Sequence, residues 1–275
     1  MGGDDDASQR AILNVHHVTS SDVVIDVSAF HAFLFDLDGV ITRTANLHAS
    51  AWKKLFDGYL TADAARRGAP FVPFDIERDY RAYVDGKPRN AGIRDFFASR
   101  DIRLPEGTPH DDPSAETVQA LGKRKNRYFL EFLQHEGVRV YQSAIALVRE
   151  ARGLGVKTAV VSSSRNTVAI LRVARLTDLF QARVDGAEAL RLGLAGKPDP
   201  ATFHEAARRL GVPAASGVVF EDATAGVEAG RRGGFGLVVG VGDREHAERL
   251  RQYGAHVVVA DLGAIRLERR AKAAS

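Results

Sequence analysis

The chain contains no cysteine. That absence excludes a disulfide framework, a zinc–thiolate centre and a thiol nucleophile. No apolar run approaches the roughly 20 residues that a membrane-spanning helix needs. Charge of one sign is missing too: 38 basic and 35 acidic residues are interleaved for a net charge of +3. Such mixing gives no basic stripe for nucleic acid, and the pairs Arg66-Arg67, Arg208-Arg209 and Arg231-Arg232 fit solvated helix faces. The start, Met1-Gly2-Gly3-Asp4-Asp5-Asp6, is acidic and lacks a charged-then-apolar signal pattern. No internal repeat or low-complexity tract is present. The expectation is a cytoplasmic protein without nucleic-acid or membrane partners, a monomer or weak homodimer. Its 275 residues, 45% of them hydrophobic, suffice for one large domain or two modest ones.

Short apolar runs at Ala32–Phe35, Thr158–Val161, Val218–Phe220, Leu237–Val239 and His256–Val259 read as buried parallel strands, which are continuously apolar rather than alternating. Helical patterns intervene at Ala144–Leu154, Thr167–Leu176, Pro200–Leu210, Ala223–Arg231 and Arg244–Tyr253, with Gly211 and Gly254 as stops. Strand–helix alternation predicts an α/β fold, a Rossmann-like open parallel sheet. The alternation breaks at residues 46–136, which read as helices at Leu47–Tyr59, Ala91–Ser99 and Ala115–His135 separated by Pro-containing segments. An inserted helical cap domain is therefore expected at 46–136, with 29–45 and 137–275 forming the core. Residues 1–28 read as a flexible leader, in which Val23-Val24-Ile25 can add an edge strand.

In open α/β sheets, ligands bind beyond the carboxyl ends of the strands. Four polar clusters fall at such places or before a helix: Asp36-Leu37-Asp38-Gly39, Ser162-Ser163-Ser164-Arg165-Asn166, Lys197-Pro198 and Glu221-Asp222. Asp36 and Asp38 are two residues apart in an extended segment and so share one side. Two such carboxylates repel unless a cation holds them or they divide protonation states. Hydroxyls and turn amides suit phosphate, a Lys neutralises it, and carboxylates hold a hard cation such as Mg²⁺. This is the equipment of phosphoryl transfer. Each cluster alone fits a cap or surface turn; all four in order at strand ends do not. Gly240-Val241-Gly242 also follows a strand, but position 245 is Glu245, so no dinucleotide fingerprint is complete.

These residues resemble the haloacid dehalogenase-like phosphotransferase superfamily, and the run from Phe35 through His48 and Trp52 to Lys53 is similar to its β-phosphoglucomutase branch. The resemblance extends over most of residues 30–260. It includes Gly86-Lys87-Pro88-Arg89, at the place of a Gly-x-x-Arg loop, and Lys123-Arg124-Lys125-Asn126 in the cap. It implies Asp36 as the nucleophile that becomes an aspartyl-phosphate and Asp38 as general acid/base. It implies Mg²⁺ on Asp36, the Asp38 carbonyl and Asp222, with Glu221 assisting. Ser162 and Lys197 would grip the transferred phosphoryl group. Arg89, Ser164 and Asn166 would hold a distal phosphate, where a planar guanidinium binds bidentately. Thr44, His48, Trp52, Gly86, Lys125 and Asn126 would contact or orient the sugar.

The chain departs from the branch in two places. Arg43 stands where Asp is common, and Asp85 stands where Lys usually precedes the glycine, with Lys87 close by. The expected activity is a sugar-phosphate mutase interconverting β-D-glucose 1-phosphate and glucose 6-phosphate. The alternative is a sugar-phosphate phosphatase with the same nucleophile. The core motifs fit both, since the difference is whether water is excluded and a sugar hydroxyl presented; Arg89, Lys125 and Asn126 favour the mutase. A non-catalytic phosphate-ligand binding module would be signalled by loss of the nucleophile, and Asp36 is present.

Overall fold

The computed structural model describes residues 15–17 and 23–269. The stretches 1–14 and 18–22 of the expected leader, and the chain end at 270–275, lie outside the described residues. The strands are β1 (Val15–His17), β2 (Val23–Asp26), β3 (Ala32–Phe35), β4 (Lys157–Val161), β5 (Ala182–Val184), β6 (Gly217–Glu221), β7 (Leu237–Val241), β8 (Val257–Val259) and β9 (Ile265–Glu268). The helices are α1 (Ala45–Arg67), α2 (Arg89–Ala98), α3 (Val118–Glu136), α4 (Gln142–Gly153), α5 (Thr167–Val173), α6 (Gly186–Leu192), α7 (Ala201–Leu210), α8 (Thr224–Arg232) and α9 (Arg244–Gln252).

Two compact units divide the chain. One comprises residues 1–43 and 140–275, the other residues 44–139. In the first, six parallel strands run in the order β5-β4-β3-β6-β7-β8. The fully buried apolar strands explain the sheet: helices cover both faces, so no polar alternation is needed. Phe33, Phe35 and Phe220 line one face, with Phe35 and Phe220 stacked at 4.5 Å. Leu34, Val161, Val219 and Val238 pack with Phe203 of α7 and Val227 of α8. From β3 the chain steps outward to β4 and β5, then returns to β6 on the other side of β3. That reversal opens a crevice at the carboxyl end of β3.

The leader expectation is corrected at its end. Val23–Asp26 is a buried strand, paired parallel to β9 and antiparallel to β1, so order begins well before residue 28. Burial of three β-branched residues outweighs the polar company around them. β5 and α6 were not anticipated. β5 is three residues long and carries Arg183, so it has no apolar run, and its pairing with β4 comes entirely from tertiary contact. The second unit packs α1 against α3 and α2 against α3 around Phe56, Phe74, Phe96 and Phe97. A π-helical turn at Tyr80–Val84 precedes α2.

His256, just before β8, pairs twice with Val238: its N–H donates to the Val238 carbonyl and its Nδ1 accepts the Val238 N–H, each at 2.9 Å. Burial, then the nearby Arg231 guanidinium, hold the imidazole below its ordinary pKa. The neutral ring is therefore the folded form, and its contribution is full above about pH 6.5 and lost as the pH falls through the folded value. His256→Leu should cost about 1–3 kcal/mol at pH 7.5 by orphaning the Val238 N–H. It should also flatten the decline in urea midpoint between neutral pH and pH 5. An unchanged slope in the variant would assign that decline to other groups.

Candidate active site

Asp36 directly follows β3 and extends its ladder, its N–H donating to the Phe220 carbonyl at 2.9 Å. Leu37 is fully buried and anchors the turn: its carbonyl accepts the N–H groups of Ile41 and Thr42. Gly39 turns the chain at φ +93°, and a Cβ there would lie 1.7 Å from Asp222 Oδ2. The residue after Asp38 must thus be glycine twice over, for its backbone conformation and for the room that Asp222 takes.

Ser162 follows β4. Its Oγ accepts the Ser164 N–H at 3.0 Å and lies 3.4 Å from Asp38 Oδ2. Ser164 Oγ accepts the Asn166 N–H at 3.2 Å, so this loop is organised by its own hydroxyls. Asn166 occupies the N-cap position of α5 without a side-chain capping bond. Lys197 is 2% exposed. Its Nζ donates to Asp36 Oδ1 at 2.5 Å, to the Val161 carbonyl at 3.0 Å and to Glu221 Oε1. Glu221, the last residue of β6, also accepts the Ala223 N–H at 3.3 Å. Gly226 of α8 makes room for it, since a Cβ there would sit 1.9 Å from Glu221 Oε1. Asp36, Asp38, Ser162, Lys197, Glu221 and Asp222 therefore gather at the carboxyl ends of β3, β4 and β6. The sequence reading missed Gly226 and the Val161 carbonyl. The carbonyl has no sequence signal, and the glycine stands in an ordinary helical pattern.

Burial alone would lower the Lys197 pKa, but the facing Asp36 and Glu221 outweigh it and hold the ammonium above its ordinary value. Burial, opposed by Lys197, raises Asp36, with Asp38 adding repulsion. The same burial pushes Glu221 up to about 8. One ammonium is thus too little positive charge for these carboxylates. Ligand oxygens of Asp36, Glu221 and Asp222 lie within 4.8 Å of one another. A surplus of hard oxygen donors, two of them strained toward protonation, fits a divalent cation of the Mg²⁺ type.

The helical unit holds its own group of predicted residues. His48 and Trp52 stand one turn apart on α1, and Lys125 Nζ lies 2.5 Å from His48 Nδ1. The Lys125 ammonium is buried 4.9 Å over the Trp52 ring and 5.1 Å over the Phe129 ring. Arg89, the first residue of α2, donates to Asn126 Oδ1 at 2.8 Å and to the Gly122 carbonyl at 3.3 Å. Thr44 is fully buried before α1, its carbonyl accepting the His48 N–H. Gly86 turns at φ +67°. Lys87 is engaged by Asp95 at 2.6 Å. In the core unit, Arg43 is exposed, with its guanidinium 4.7 Å over the Tyr141 ring.

Lys197→Met leaves Asp36 and Glu221 buried without their cation. In urea unfolding with chelator it should cost about 3–5 kcal/mol, part of it recovered on adding Mg²⁺. A variant as stable as the parent in chelator would refute the claim that the ammonium offsets these carboxylates. Gly39→Ala should abolish Mg²⁺-dependent stabilisation, read as the loss of the melting shift on adding Mg²⁺, because the new methyl occupies the Asp222 carboxylate position.

The chain is 47% identical over 234 residues to a β-phosphoglucomutase of Mycobacterium bovis, covering 84% of this chain and 89% of that protein. It is 28% identical over 214 residues to a phosphorylated carbohydrates phosphatase of Thermotoga maritima, covering 76% and 84%. A crystal structure of a β-phosphoglucomutase from Clostridium difficile shares the fold, with a TM-score of 0.66 at 24% identity over 85% of this chain and 92% of that one. The family model for haloacid dehalogenase-like hydrolases matches residues 30–234, and the chain belongs to that family.

Proposed function

We propose that the protein is a Mg²⁺-dependent sugar-phosphate mutase that interconverts β-D-glucose 1-phosphate and glucose 6-phosphate. The observation that carries this reading is the buried Lys125–His48–Trp52 cluster beside the braced Arg89–Asn126 pair. Hydrolysis needs nothing from the helical unit beyond shelter. A mutase needs fixed cations and donors to hold a sugar bisphosphate so that either end can be presented. The 47% identity to a protein named β-phosphoglucomutase supports the same choice.

In this mechanism Asp36 carries the phosphoryl group as an aspartyl-phosphate. The 6-hydroxyl of β-glucose 1-phosphate attacks that phosphorus and loses its proton to Asp38, while the Asp36 oxygen–phosphorus bond breaks. The bisphosphate then presents its other end. Asp36 attacks the 1-phosphoryl group, and Asp38 returns the proton to the departing sugar oxygen, leaving glucose 6-phosphate and a recharged Asp36. Lys197 and Ser162 oppose the charge on the transferring oxygens. A cation held by Asp36, the Asp38 carbonyl and Asp222, with Glu221 assisting, would supply further charge neutralisation. Arg89, with Ser164 and Asn166, binds the phosphate that is not reacting. Thr44, His48, Trp52, Gly86, Lys125 and Asn126 orient the sugar.

A second reading is a sugar-phosphate phosphatase, in which water takes the phosphoryl group from Asp36. The nucleophile, acid/base, Lys and metal-type carboxylates all lie in the core unit, and a relative named as a phosphatase shares 28% of its residues.

Incubation with Mg²⁺, β-glucose 1-phosphate and a trace of glucose 1,6-bisphosphate separates the two. Glucose 6-phosphate should be the dominant product; predominant free phosphate would overturn the mutase. Asp36→Asn should lower kcat by about 10⁴-fold or more. Arg89→Ala, which removes one charged contact, should lower kcat/KM by about 10- to 100-fold.

A further inference from the structure

The mutase and phosphatase readings both leave His246 without a task, and the Gly240-Val241-Gly242 run that follows a strand without a purpose. The two belong together. His246 is the third residue of α9, and only 9% of it is exposed. Its Nε2 lies 2.8 Å from the backbone carbonyl oxygen of Asp222. A carbonyl can only accept, so Nε2 carries the proton and donates. The backbone of His246 is fixed as well: Asp243 Oδ1 accepts the His246 backbone N–H at 2.9 Å, capping the first turn of α9.

Gly242 leaves room beside this contact. A Cβ at that position would lie 3.2 Å from His246 Cδ2, 3.4 Å from His246 Cβ and 3.1 Å from Leu250 Cδ1. The Gly242 N–H donates to the Val259 carbonyl at 2.9 Å, so its backbone has no freedom to retreat. The glycine that looks like a fragment of a nucleotide-binding loop is instead the clearance for an imidazole.

Asp222 is thereby fixed at two points. Its carboxylate presses on the backbone at Gly39, and its carbonyl is tied to α9. We propose that His246 is a positioning residue for the cation site. It holds the β6–α8 loop so that the Asp222 carboxylate faces Asp36, and metal affinity depends on its Nε2–H. This rests on the reading of Asp222 as a metal ligand. Partners of this outer kind alter metal affinity by about 10- to 100-fold when removed, because the ligand they orient must be ordered by the metal itself.

The test uses the full chain and measures Mg²⁺ binding by calorimetry and Mn²⁺ binding by electron paramagnetic resonance. Four variants are compared: His246→Phe, which keeps ring volume without the donor; His246→Gln, whose amide can reach the carbonyl; His246→Asn, one methylene too short; and Asp222→Asn. Phe and Asn at position 246 should weaken binding by about 10- to 100-fold, and Gln should restore it to within about threefold. With a sugar phosphate as substrate, the Mg²⁺ concentration for half-maximal rate should rise in the same order while the rate at saturating Mg²⁺ stays within about twofold. A merely structural role would lower stability in Asn and Gln alike and would not separate them in metal affinity. Wild-type affinity in His246→Phe, or equal affinities in the Asn and Gln variants, overturns the proposal while leaving the site reading intact. Undiminished binding in Asp222→Asn overturns the site reading, and this inference with it.

Discussion

One ammonium group, Lys197 Nζ, sits in a space from which water is excluded and touches Asp36, Glu221 and a backbone carbonyl at once. The rest of the core unit can be read as the means of keeping that contact in place. Two carboxylates at this separation, both buried, would repel strongly in a medium of low dielectric. The ammonium links the ends of β3 and β6 across the crevice, and its third bond ties it to β4. Charge compensation and structural closure are thus served by the same atoms. The acids outnumber the base, and the surplus of carboxylate oxygens is of the kind that could hold a divalent cation.

The topology makes this possible with little machinery. Because the strand order reverses at β3, its carboxyl end is flanked by β4 on one side and β6 on the other. Three short segments therefore bring two carboxylates, a hydroxyl and an acidic pair to one place. Glycine supplies what the strands cannot, which is volume. At Gly39 and Gly226 the missing methyl is replaced by a carboxylate of another segment. The helical unit uses a different device. There, aromatic faces surround an ammonium, and a carbonyl and an amide brace a guanidinium.

Much of this could be read from the residues. The apolar runs that became β3, β4, β6, β7 and β8 are continuous and bounded by polar clusters, so hydrophobicity alone marked them. The inserted segment lacks strand alternation, and its Ala-, Lys- and Arg-rich stretches between Pro-containing breaks mark its three main helices. The elements that escaped were those without a local signal. β5 is three residues with an arginine in the middle, and the π-helical turn at Tyr80–Val84 has no periodicity of its own. The strand expected at Val23-Val24-Ile25 is present, but it lies between β1 and β9 rather than at an edge, because its partner β9 is some 240 residues away in the sequence. Asp36, Asp38, Ser162, Glu221 and Asp222 stand out in the sequence by their position at strand ends, and Lys197 by its place before a helix. His246 does not, since it contacts a backbone carbonyl, and a carbonyl looks alike at every residue. Lys87, close to the position where the branch has a lysine, is engaged by Asp95.

The pairing of β3 with β6 has a consequence for how the molecule is made. Phe35 meets Phe220 in register, and Asp36 meets Lys197 only after the whole helical unit and several further elements have left the ribosome. The helical unit is one continuous stretch with its own aromatic core, so its contacts are all available once residue 139 emerges. The discontinuous unit has to wait, with its central strand unpaired and Asp36 lacking a counter-ion for most of synthesis. Asp36 is thus among the first residues of this cluster to be synthesised, and it acquires its environment only when β6 is in place.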